Sequence, residues 1–110
     1  MLEQKATFDA SPYLDGLSRF CKKWKISSIS VFGSALRKDF TSQSDVDLLL
    51  SYRADASHDL FDITEMTAEL ESIFHRKVDI VERAAIEKNT STLLKKEILD
   101  SATIIYDEAA

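Results

Sequence analysis

The sequence predicts an α/β or α+β domain: a small β-sheet with helices packed on it. Three observations carry that class. Four β-rich runs, "ISSISVF", "DVDLLLSY", "KVDIV" and "ATIIY", are separated by segments of helical periodicity, in the order αβ(α)βαβαβ. The run "DVDLLLSY" has the continuous apolar centre of an interior strand. Two glycines, one proline and no repeat leave no linker, so residues 1–110 are expected to form a single domain.

The elements follow in order. Ser11-Pro12 reads as a helix cap followed by proline at the first helical position. Tyr13, Leu14, Leu17, Phe20, Cys21 and Trp24 then recur at helical spacing, giving a helix to about Lys25. "ISSISVF" is the first strand, with Ile29 and Val31 on one face and Ser30 and Phe32 on the other. "SALRKDF" has room for a short helical turn and "TSQS" is a polar loop. The second strand starts at Asp45. A helix from His58 to about His75 carries Leu60, Ile63, Met66, Thr67, Leu70, Ile73 and Phe74 on one face. Lys77–Val81 is a short strand. A single helix from Ile86 to about Leu99 carries Ile86, Leu93, Leu94 and Ile98, and "ATIIY" closes the sheet as an edge strand.

Composition narrows the function. A net charge of −5 argues against a protein that coats nucleic acid, which must neutralise phosphates with Lys and Arg. No run approaches the roughly 20 apolar residues of a spanning helix, and the first residues lack the apolar stretch of a signal peptide. Cys21 is the lone cysteine, so no internal disulfide is possible and the expected compartment is the cytoplasm.

The chemistry concentrates between Phe32 and Leu50, in "FGSALRKDFTSQSDVDLLL". Gly33-Ser34, the ten residues Ala35–Ser44, then Asp45-x-Asp47 is a combination that this composition yields by chance about 0.002 times. Alternation puts Asp45 and Asp47 on one strand face, roughly 6.6 Å apart, with Val46 on the other. Asp79 shares a face with Val81, opposite Val78 and Ile80. If the two strands are neighbours, three carboxylates line one patch. Acids that close repel one another unless a cation balances them. An all-oxygen donor set without a Cys or His cluster favours Mg²⁺ or Mn²⁺, and Mg²⁺ usually shares its ligands with substrate phosphates. Ser34, at what could be a helix N-terminus, is a seat for phosphate. Arg37 and Lys38 lie on the same segment, within reach of a polyphosphate. Taken singly, each feature has a plainer explanation: a turn at Gly33-Ser34, a strand end at Asp45, an edge-strand aspartate at Asp79.

Together, "GSALRKDFTSQSDVD" resembles the signature of the polymerase-β-like nucleotidyltransferase superfamily, and Ser11 to Tyr106 has the size and element order of its minimal nucleotidyltransferases (MNT). The resemblance implies that fold, with a small mixed β-sheet. It implies that Gly33 and Ser34 bind nucleotide phosphates and that Arg37 contacts the triphosphate. It also implies that Asp45 and Asp47 hold two Mg²⁺ ions and that Asp79 holds the ion nearest the attacking hydroxyl. Many family members are antitoxins of HEPN–MNT toxin–antitoxin pairs, which transfer AMP from ATP to a tyrosine of a HEPN ribonuclease toxin. The implied activity is therefore protein adenylylation, with ATP as substrate and a HEPN toxin as partner. The alternatives are an antitoxin that acts by contact alone and a transferase with a small-molecule or RNA acceptor.

Other placements are less favourable. In haloacid dehalogenase-type phosphatases the paired acids follow the strand, whereas here they begin it. A glycosyltransferase needs a larger sugar-nucleotide domain. His58 and His75, flanking a helix, lack ligand spacing. Cys21 and Trp24 are core candidates, "CKKWK" a solvated helix end, and "KNTSTLLKK" the polar side of a helix.

Overall fold

A computed structural model describes residues 10–32, 45–89 and 92–109. The first element among the described residues is a 3-10 turn, Ser11–Tyr13, that runs into helix α1, Leu14–Trp24. The predicted cap at Ser11 is corrected. Ala10 holds that position and its carbonyl accepts the Tyr13 amide at 2.9 Å, so the turn forced by Pro12 begins one residue early. Helix α1 buries Leu17, Phe20 and Cys21. It ends at Lys25, which turns left-handed (φ 60°) and donates its amide to the Cys21 carbonyl.

Strands β1 (Ile26–Phe32), β2 (Val46–Tyr52), β3 (Val78–Glu82) and β4 (Thr103–Asp107) form one sheet in the order β3-β2-β1-β4. β1 runs antiparallel to β2 and β4, and β2 runs parallel to β3. The sheet is therefore mixed, with β2 interior and β4 at an edge, both as the sequence predicts. Three strands start one residue later than the sequence predicts, β4 at Thr103 among them. β2 begins at Val46, leaving Asp45 just before it, and β3 runs from Val78 to Glu82. The Val46 amide reaches the Lys77 carbonyl at 2.9 Å, so both strands start at the row where their ladder closes.

Parallel neighbours need a long crossover, and α2 (Leu60–Phe74) supplies it. The helix begins two residues after the predicted start because Asp59 and Asp62 cap it reciprocally. Each side chain accepts the other's amide, at 2.8 and 3.1 Å. The first turn overhangs the core: Leu60 and Phe61 are 79% and 84% exposed, which corrects Leu60's place on the buried stripe. Met66, Leu70 and Phe74 are the buried members. The predicted helix Ile86–Leu99 falls on α3 (Arg83–Asn89) and α4 (Thr92–Ser101), with residues 90 and 91 outside the described residues. Ile86 is buried, but Leu93 is 78% exposed, because apolar spacing alone does not show where a packed surface ends.

Helices α1 and α2 cover one face of the sheet, where Ile29, Val31, Val46, Leu48, Leu50 and Val78 join Leu17, Phe20, Met66, Leu70 and Phe74 in a continuous core. The helices approach closely at Gly16, where a Cβ would stand 3.4 Å from Ile73. They are latched by Glu69, which accepts Lys23 Nζ at 2.6 Å and Trp24 Nε1 at 3.1 Å. Burial pushes the Glu69 carboxyl up, but these two bonds outweigh it and leave its pKa lowered.

Candidate active site

The register of the sheet assembles the site. Phe32 on β1 stands opposite Asp47 on β2, and Asp47 stands opposite Asp79 on β3. The three residues form one row across the end of the sheet where β1 finishes and β2 and β3 begin. Paired residues on neighbouring strands point to the same face, about 4.8 Å apart. Val46 and Leu48, on either side of Asp47, are fully buried beneath α1 and α2, so alternation turns Asp47 and Asp79 to the opposite face. The neighbouring-strand condition set by the sequence is met by direct pairing.

Asp47 is half-buried, while Asp79 on the edge strand and Asp45 just ahead of β2 are exposed. Lower on the same face Leu49 is buried, and α3 lies against β2 and β3. The acids thus occupy the open end of a face whose lower part is closed. Gly33, Ser34 and Arg37 lie outside the described residues; in the chain Gly33 directly follows Phe32. Among the described residues no group of three or more His, Cys, Asp or Glu is drawn together as a metal cluster. Within this face the register does bring together the Asp47–Asp79 pair. Its donor chemistry is hard oxygen only, which fits Mg²⁺.

The residues set aside in the sequence lie elsewhere. His75 is the exposed, left-handed C-cap of α2 (φ 58°). His58 precedes the Asp59 cap. Its Nε2 lies 2.7 Å from the Trp24 carbonyl, which can only accept, so Nε2 donates, and the ring packs 4.5 Å from Tyr52. Both histidines are helix-end residues. Cys21 is a buried core thiol whose pKa burial pushes up to about 12.

Two residues escaped the sequence. Phe32 is the half-buried aromatic beside Asp47, and its alternation with Val31 was a usable signal. Glu71 on α2 accepts the Val78 amide at 3.1 Å, fixing the start of β3. That contact depends on helix–strand packing, for which the sequence holds no local sign.

The chain belongs to the nucleotidyltransferase domain family, whose model matches residues 15–105. It is 34% identical over 65 residues to the "Putative protein adenylyltransferase MJ0126" of Methanocaldococcus jannaschii, covering 59% of this chain and 64% of that relative's length. Its fold is similar to a solved minimal nucleotidyltransferase, with a TM-score of 0.60 at 27% identity over 81% of this chain and 84% of that one. A crystal structure of a toxin–antitoxin with AMP-PNP gives a TM-score of 0.63 over 84% of this chain and 72% of that one, at 21% identity a likeness of fold. The same holds for the complex of a tri-AMPylated Shewanella oneidensis HEPN toxin with its MNT antitoxin, at a TM-score of 0.60 and 19% identity over 92% of this chain and 75% of that one.

Proposed function

We propose that this chain is a Mg²⁺-dependent adenylyltransferase of the cytoplasm. It transfers AMP from ATP to a tyrosine hydroxyl of a HEPN-type ribonuclease toxin and so acts as its antitoxin. The observation that carries this is the row that sets Asp47 beside Asp79 on the face away from α1 and α2. The names of its relatives support adenylyl transfer to protein, and the toxin–antitoxin folds it resembles support the partner.

Asp45, Asp47 and Asp79 would hold the ions, which supply charge neutralisation on the triphosphate and acidity at the acceptor hydroxyl. Gly33 and Ser34 bind the phosphates, and Arg37 neutralises the tail. The acceptor oxygen attacks the α-phosphorus, its proton passes to the Asp79 carboxylate, and the bond to pyrophosphate breaks in line. The exposed place of Asp79 on an edge strand leaves it open to a hydroxyl carried by another protein. Rigid strands hold both acids in position, which is the main source of rate in such a transfer.

The test is incubation with ATP labelled at the α-phosphate, Mg²⁺ and the protein encoded beside this chain. Label on a tyrosine of that protein, abolished by EDTA, is expected. A tight complex with no label would make the chain a contact-only antitoxin instead.

A further inference from the structure

We propose that the outer edge of β3 receives the acceptor as a fifth strand: an extended, basic, hydroxyl-bearing segment of the partner protein pairs with the backbone of Ile80, a step that rests on the transferase activity proposed above. The phase of the β2–β3 ladder carries it. Val46 is opposite Val78 and donates its amide to Lys77, one residue earlier. In a parallel ladder the bonding residue reaches both neighbours of its partner, so Lys77, Asp79 and Val81 direct their backbone groups at β2. Val78, Ile80 and Glu82 therefore direct theirs outward, and the Val78 amide, taken by Glu71, is on that outer side.

Ile80 is left at the centre of the edge, and among the described residues no strand pairs with β3 on that side. A segment added there lies about 4.8 Å from β3. Its residue opposite Asp79 points to the acid face, which sets a hydroxyl beside the carboxylate that takes its proton. Backbone pairing supplies affinity with little demand on sequence, as in other strand-addition complexes. The border of β3 carries Glu71, Asp79 and Glu82, the last accepting the Tyr52 hydroxyl, against Arg76 and Lys77, in a chain of net charge −5, so the favoured segment carries Lys or Arg. Arg83, next along, is engaged by Glu87 at 3.2 Å.

Ile80→Pro removes the outward amide while leaving the β2 ladder intact, since proline is tolerated on an edge strand when its nitrogen faces out. Ile80→Ala keeps the amide and loses the packing. Label transfer to the partner is expected to fall about tenfold or more in Ile80→Pro, through KM for the acceptor, with affinity for Mg·ATP unchanged and Ile80→Ala close to wild type. Wild-type transfer by Ile80→Pro, or an equal fall in Ile80→Ala, overturns the proposal. So does a wild-type dimer that Ile80→Pro dissolves with labelling intact. Should Ile80→Pro not fold, amide exchange at Ile80 in the wild type decides, slowing at least about tenfold on partner addition or, if unchanged, refuting the edge. A wild-type protein that labels nothing sinks the transferase instead, which keeps the two failures apart.

Discussion

On the face of the sheet beneath α1 and α2, Val46, Leu48 and Leu50 are at most 1% exposed and belong to one apolar cluster. On the other face of the same strand, Asp47 stands beside an exposed Asp79 and a half-buried Phe32. One strand thus anchors a core and presents acids, and alternation is what separates the two tasks. The sealed face makes the open one rigid. Acids side by side repel, and holding them so has to be offset by burial on the far side.

The comparison can be broken from either side. The largest effect belongs to the acid face. Asp79→Asn keeps the shape but cannot take the acceptor proton, so transfer should fall by about 10²- to 10⁴-fold, with stability within about 0.5 kcal/mol of wild type. Single-turnover labelling and thermal melting check the two halves. On the sealed face Leu48→Ala should cost about 2–5 kcal/mol by denaturant unfolding, with activity per folded molecule retained.

Next comes an alkaline limit. Burial first, and then the charge of Glu108, raise the Cys21 thiol from 9.0 to about 12, against a smaller opposing effect of Arg53. Burial and the bond to Glu82 raise Tyr52 as well. Folding disfavours both anions, so stability is full below pH 9 and falls as pH climbs from there toward 12. Unfolding free energies of Cys21→Ala should lose part of that slope between pH 9 and 12. The smallest effect is at the edge of the core: Asp59→Ala removes the α2 cap and should cost about 1 kcal/mol, read as a shift in melting temperature.

The two faces were also unequally legible. Alternation and apolar runs gave away all four strands, and a strand headed by Asp45 and Asp47 marked the site, because both signals are local. What stayed hidden was nonlocal. That Asp79 pairs with Asp47 depends on a parallel crossover through α2, and no spacing in the sequence encodes it. Leu60 and Leu93 fit helical stripes yet are exposed, because periodicity counts residues and not where a packed surface ends. Asp59 and Asp62 carried a cap signal that a helix start placed at His58 passed over.

Asp47→Asn tests the central claim most directly, since it alters the open face at an acid whose neighbours in sequence, Val46 and Leu48, are fully buried. With labelled ATP, Mg²⁺ and the protein encoded beside it, the variant should leave the partner unlabelled, at least about 10³-fold below wild type, a barrier increase of about 4 kcal/mol, while melting at the wild-type temperature. Labelling at the wild-type rate by a folded Asp47→Asn would contradict the account.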